Sequence, residues 1–520
     1  MRIKTTLLLL LGTSLFSQCT PEKEVLNLPK TDLKQTAFLP WPSEILADSS
    51  AFPLDSLTPI LLEDKSKSWQ QLQQRVQAEL KEQTGWELPL EQLAQRSPLV
   101  IRSVPPTDGG SEAYRLRIGQ DTLFLEASDP AGAYRGLQSL KQNIPHQTND
   151  TLANRRILVV PGGEINDRPR YAYRGMMLDV ARHFFSVDEV KRLLDQLSYY
   201  KVNHLHLHLS DDQGWRIEIK GWPELTGIGA ATEVGGTPGG FYTQEEYREL
   251  VDYAKSRYIT IVPEIDMPGH TNAAVVSYPE LNGNGKTPKP YTGTRVGFST
   301  FDTRSDKTYA FLEDVIQQIT ALTDGPFFHV GGDESHVTKK EDYIYFLERV
   351  EPLITKAGKR MMGWDEIVQA KLGNSTVLQH WRTPENAAKG GEQGMQVVLS
   401  PAFFSYLDMK YDKYSEYGLT WAGFIPVDKA YNWNPDEAVT GLAQKNILGL
   451  EAPLWSETVS NSAELEYLAY PRMAGYAEMA WSQQEHREWD FYLKRLKSQR
   501  QRWDKEGINY YKSPVFGTEE

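Results

Sequence analysis

From Tyr171 onward, short apolar runs alternate with stretches whose apolar residues recur every three or four positions. The short runs predict strands at 175–180, 203–209, 259–265, 326–330, 360–364, 376–381, 396–400 and 447–452. The stretches between them predict helices, and two carry explicit start signals. Ser186 and Glu189 precede Val190, Leu193, Leu194 and Leu197, while Thr243 and Glu246 precede Tyr247, Leu250 and Val251. A hydroxyl three residues before a Glu lets each side chain satisfy the other's free backbone N–H, and the apolar residues that follow share one helix face. Eight strands alternating with helices predict an α/β fold, a (β/α)8 barrel. A doubly wound open sheet is the alternative. No glycine-rich phosphate loop follows any of these strands, which disfavours its nucleotide-binding form.

Upstream the pattern is mixed. Tyr114 to Ile118 and Thr122 to Glu126 alternate and predict a hairpin, and Ala131 to Gln142 reads as a helix with Tyr134, Leu137 and Leu140 on one side. Residues 36–165 therefore form a smaller α+β domain ahead of a barrel spanning 166–505, with 506–520 as a C-terminal tail. Residues 1–18 read as a secretory signal: Arg2 and Lys4, an apolar centre from Leu7 to Leu11, then Ser14 to Gln18. Residues 19–35 read as a polar tether. Cys19 is the single cysteine, so no intramolecular disulfide forms. Its place at the end of the signal resembles a bacterial lipoprotein signal, and lipidation there would anchor the protein to a membrane from the periplasm or cell surface. The alternative is an ordinary cleaved signal and a soluble exported protein. No later stretch is apolar and long enough to span a membrane.

Composition narrows the partners. The chain has 520 residues, 40% hydrophobic and 24% charged, with a formal charge of −13. That charge argues against nucleic acid or anionic lipid as a partner. The 13 Trp and 26 Tyr either pack the core or offer flat faces for sugar rings.

In a barrel the chemistry collects at the C-terminal ends of the strands. The fourth strand runs into His329-Val330-Gly331-Gly332-Asp333-Glu334. Adjacent carboxylates repel unless their environments separate their pKa values, and a separated pair can supply an acid and a charge stabiliser, as in sugar hydrolysis. Other strand ends carry Asp211-Asp212-Gln213-Gly214-Trp215-Arg216, Glu264-Ile265-Asp266-Met267-Pro268-Gly269-His270, Gly363-Trp364-Asp365-Glu366, Trp381, Tyr406-Leu407-Asp408 and Trp455-Ser456-Glu457. His204, His206 and His208 alternate on one strand face, either as a metal-ligand array or as hydrogen-bonded core histidines. The second reading is favoured, and neither a metal nor a cofactor is expected.

These motifs, in this order and together with Tyr173-Arg174-Gly175, resemble glycoside hydrolase family 20, the β-N-acetylhexosaminidases. The resemblance covers about Tyr171 to Trp481. It implies a retaining mechanism in which the substrate's own 2-acetamido carbonyl attacks the anomeric carbon. Glu334 would then be the general acid and base, and Asp333 would orient the acetamido group. His270 with Asp211 would tune Glu334. Tyr406 and Asp408 would bind the acetamido group, Trp364, Trp381 and Trp455 would wall the pocket, and Arg174 and Glu457 would bind ring hydroxyls. Asp212, Asp266 and Asp365 would cap loops or pair at the barrel mouth. The expected substrates are glycans ending in N-acetylhexosamine. Disaccharide release, a sulfated sugar, or a glycan-binding lipoprotein without catalysis are the alternatives.

Overall fold

The computed structural model describes residues 26–93, 96–106, 110–145, 151–152, 155–285 and 288–517. The signal, Cys19 and the start of the tether lie outside them.

Eight parallel strands close into a barrel: β7 (Tyr173–Asp179), β8 (His204–His208), β9 (Thr260–Glu264), β10 (Phe327–His329), β11 (Arg360–Trp364), β12 (Val377–His380), β13 (Gln396–Leu399) and β14 (Ile447–Leu454), which pairs back onto β7. Each lies within a few residues of its predicted span. Both helix start signals form complete capping boxes, at Val187–Tyr199 and Gln244–Lys255. The preceding domain is a mixed sheet of β1 (Glu44–Leu54), β2 (Ile60–Leu62), β3 (Leu99–Ser103), β4 (Tyr114–Ile118), β5 (Leu123–Ala127) and β6 (Leu158–Asp167), in the order β1-β6-β4-β5-β3-β2. Helices Lys67–Thr84 and Pro130–Asn143 cover one face of it. The predicted hairpin is the antiparallel pair β4 and β5.

Two boundaries differ from the sequence reading. Leu33, placed in the tether, is fully buried in the core of the smaller domain, where Asp32 caps a single turn. The expected tail is packed as well: Ile508, Tyr510, Tyr511 and Phe516 are buried, and Tyr511 stacks on Tyr411 at 4.3 Å. Neither segment has a local hydrophobic period, and its burial comes from distant partners.

Inside the barrel, Tyr173, Val262, Phe327, Met362, Val377 and Val398 form an apolar plug toward the strand N-termini. This plug fills the base, so the polar residues above it face the opposite mouth. The smaller domain closes the base from outside. Lys201 Nζ meets Asp167 Oδ2 at 2.9 Å, and the Trp481 indole donates to the same carboxylate.

Candidate active site

The carboxylate pair is delivered by a forced turn. After β10, Gly331 (φ 64°) and Gly332 (φ 96°) take left-handed conformations. A Cβ on Gly331 would stand 1.9 Å from Asp266 Oδ1, so only glycine fits. Glu334 itself has φ 44°, strained for a side chain with a Cβ. The turn is held at several points. Gly332 N donates to Asp266, the Tyr343 hydroxyl to Gly332 O at 2.6 Å, and Trp364 N to Gly331 O. Asp333 is buried, and the Glu334 side chain keeps 23% exposure. Burial first, and then the adjacent Asp333, raise the Glu334 carboxyl above its usual range, while His270, Arg182 and His336 partly oppose them.

His270 follows the turn after β9. Its Nδ1 is 3.1 Å from Asp211 Oδ1, and its Nε2 is 3.8 Å from both Asp333 Oδ2 and Glu334 Oε2. Burial disfavours charge on this imidazole, but Asp211, Asp266 and Asp333 outweigh it and push the pKa well up. Asp211 is buried too, yet Arg182 and His270 hold it well below the usual carboxylate range. The predicted trio of Asp211, His270 and Glu334 is thus brought together.

Arg174 is not. It opens β7 at the base of the barrel, fully buried, and donates to Glu112 Oε1 at 2.6 Å and to the carbonyls of Lys201 and Tyr171. The expectation that it binds ring hydroxyls is therefore corrected: it pins the smaller domain, with the plug between it and the mouth. The arginine at the mouth is Arg182, just past the other end of β7. Its Nη2 lies 2.7 Å from Asp211 Oδ2, its Nη1 3.2 Å from Asp179 Oδ2, and its Cζ 4.8 Å from the Trp455 ring.

Trp364, Trp381, Tyr406 and Trp455 come together at the barrel mouth. Trp381 stacks with Tyr406 at 6.3 Å and 18°, Tyr406 meets Trp455 at 6.3 Å, and Trp455 meets Trp364 at 5.7 Å. Their edges are anchored: the Trp364 indole donates to Glu264 and the Trp381 indole to Glu366. Trp421, 51% exposed, stands edge-on to Trp381 and Tyr406 and was not singled out in the sequence. Neither carboxylate oxygen of Asp408 has a hydrogen-bond partner among the described residues, nor does Glu457 Oε2. Burial, with Glu457 beside it, raises Asp408 well above its usual pKa, and burial raises Glu457 too. Buried polar atoms left open at a pocket are those a ligand completes.

The three further aspartates hold loops. Asp212 accepts from Asn272 N and Ser299, Asp266 from Gly332 N, and Asp365 from the backbone N–H groups of Trp381, Arg382 and Thr383. His206 and His208 are hydrogen-bonded between carboxylates. His206 reaches Glu451 at 2.9 Å and Glu264 at 3.0 Å, and His208 reaches Glu264 at 2.5 Å and Asp211 at 2.9 Å. His206, Glu264 and His329 bring ligand-type atoms within 4.8 Å of one another, as do Asp211, Asp212 and His270. His204 lies lower and stacks on Tyr173 at 3.9 Å.

Comparison with known proteins agrees over nearly the whole chain. The model of the glycosyl hydrolase family 20 catalytic domain matches residues 171–484, and that of the family's domain 2 matches 35–168. A beta-N-acetylhexosaminidase of Cellulomonas fimi is 39% identical over 80% of this chain and 84% of its own. A beta-hexosaminidase of Vibrio furnissii is 34% identical over 88% of this chain and 78% of its own. Among solved structures, the Streptomyces plicatus N-acetyl-beta-hexosaminidase in complex with Thio-NAglucal superposes with a TM-score of 0.88 at 41% identity, covering 96% of this chain and all of that one.

Proposed function

The chain belongs to glycosyl hydrolase family 20, and from that premise we propose that it is an exo-acting β-N-acetylhexosaminidase. It removes terminal, non-reducing β-linked N-acetylglucosamine or N-acetylgalactosamine from glycans. The observation that carries this reading is the pair itself: Glu334 with a raised pKa, beside Asp333, at the barrel mouth where Trp364, Trp381, Tyr406 and Trp455 come together.

A protonated Glu334 gives its proton to the leaving glycosidic oxygen as that bond breaks. The substrate's acetamido oxygen attacks the anomeric carbon from the opposite face and forms an oxazolinium ion. A nucleophile already tethered to the substrate has a large proximity advantage. Asp333 takes the hydrogen bond of the acetamido N–H and offsets the charge that grows there. Tyr406 donates to the acetamido oxygen, and the tryptophan walls exclude water around the methyl group. Glu334, now a carboxylate, then accepts a proton from water as the water opens the oxazolinium ring, so the anomeric configuration is retained. Asp408 supports the acetamido group beside Tyr406, and Arg182 and Glu457 supply charged groups for ring hydroxyls, where charged partners make the stronger hydrogen bonds.

Purified protein should hydrolyse an aryl β-N-acetylglucosaminide and leave the matching aryl β-glucoside intact. Equal rates on both would overturn acetamido participation. Release from neither would point to a disaccharide unit, a sulfated sugar or a binding role. Glu334→Gln should lower turnover of poor leaving groups by about 10²–10⁴-fold and spare activated aryl substrates more.

Export and lipid anchoring at Cys19 complete the proposal, supported by the basic, apolar and small-residue order of residues 1–18. Among the described residues no helix is long and apolar enough to cross a membrane. Mass spectrometry of the mature N-terminus should show a diacylglyceryl cysteine. An unmodified N-terminus elsewhere would reject the anchor.

A further inference from the structure

Asp211 is held from two sides. Its Oδ2 is gripped by Arg182 at 2.7 Å and by His208 Nε2 at 2.9 Å, which leaves Oδ1 for His270 at 3.1 Å. His208 is held in turn through Nδ1 by Glu264 Oε2 at 2.5 Å. Asp179, His208, Glu264 and His329 are register partners across four neighbouring strands, so they form one inward-facing polar layer directly beneath the pocket. Glu264, at the end of β9, is fully buried and also accepts from the Trp364 indole at 3.0 Å, with His206 and His329 each 3.0 Å away. An imidazole touched by a carboxylate on each nitrogen can donate to both only as the cation.

We propose that Glu264 is a positioning residue for the acid catalyst, acting through His208 and Asp211 on His270 beside Glu334. The relay read from the sequence ends at Asp211, but the bonded chain continues two side chains inward. Its role is to keep His208 doubly protonated, so that Asp211 stays a carboxylate with one oxygen fixed toward His270. Burial works against charge on His208, while Glu264, Asp211 and Asp179 favour it, and the balance lies well toward the cation. The groups facing His208 are Glu264 from β9, Asp211 from its own loop, and Asp179 and Arg182 from the end of β7. The Trp455 ring stands edge-on to it at 4.9 Å. This inference rests on the proposed function, because it assumes that Glu334 is the acid.

The test is the pH profile of kcat/KM on an aryl β-N-acetylglucosaminide, since activity falls on the alkaline side as Glu334 loses its proton. Glu264→Gln keeps the shape and removes an anion. His208 then gives up its second proton, so the charge lost beside Asp211 is a cation, and the alkaline limb should move to higher pH by about half a unit or less. His208→Gln removes the same cation directly and should move the limb the same way. A purely structural role predicts lower rates with unmoved limbs, and either that result in both variants or a shift to lower pH in Glu264→Gln, which would leave His208 charged without Glu264, overturns the proposal. Should either variant fail to fold, ¹⁵N spectra of the wild-type histidine side chains decide. Both His208 ring nitrogens protonated throughout the active pH range is the expected result, and a neutral tautomer overturns it. A wild type inactive on the N-acetylglucosaminide would instead overturn the functional reading, a separate failure.

Discussion

At the scale of single residues, the acid's environment sets the activity profile. Asp333 is one of the groups that raise Glu334. Asp333→Asn should therefore cut kcat by about 10²–10³-fold, the size of one lost charge-stabilising contact. It should also shift the residual activity's alkaline limb to lower pH, because a less raised Glu334 ionises sooner. A full pH–rate series checks both. Gly331→Ala should fold poorly. Its Cβ would meet Asp266 at 1.9 Å in a backbone conformation that disfavours any Cβ, and crowding of this kind costs about 1–3 kcal/mol. A drop in thermal midpoint with loss of activity is the expected outcome. The pair, His270, Asp211 and the tryptophans were legible because they stand in long motifs at strand ends. Arg182 was missed: the rule that sites gather at C-terminal ends points to it, but Arg174 stands in the more familiar-looking triplet at the wrong end of the same strand. Trp421 had no such signal, since a loop's partners are set by folding rather than by local pattern.

Among elements, the strands and capped helices were readable because their periods are local. Even β10, only Phe327–His329, announces itself by an apolar run ending in two glycines. Thr243 caps the helix Gln244–Lys255 through the backbone N–H of Glu246, whose carboxylate returns a bond to Thr243. Thr243→Ala should cost about 1 kcal/mol in urea unfolding and leave kcat unchanged. The loop between β13 and β14 behaves differently. It carries Tyr406 and Asp408 inward and leaves Trp421 half out at the pocket rim. Trp421→Ala should raise KM for oligosaccharides several-fold more than for small aryl glycosides, as read by parallel kinetics on the two substrate types. Equal effects would place Trp421 within the first sugar's pocket instead.

For the whole molecule, the junction at the barrel base governs stability. Glu112, from the smaller domain, reaches Arg135 at 2.8 Å and Arg174 at 2.6 Å. Burial opposes its charge, but the two guanidinium groups outweigh it and hold its carboxyl down to about 2. The stability this contributes is complete above the unfolded value of about 4.3 and is lost as pH falls from there toward 2. Acid unfolding should therefore steepen in that window, and Glu112→Gln should flatten it. At neutral pH the same change should cost about 3–5 kcal/mol, because it strands buried cations; chemical denaturation of the full chain measures it. Lys201 and Asp167 make a second such contact, with both side chains fully buried. In electrostatic terms the smaller domain is a counter-ion made of protein. A barrel cut away at residue 169 would carry the Arg174 guanidinium and the Lys201 ammonium with neither matching carboxylate, so the catalytic half should not survive as a free-standing fragment.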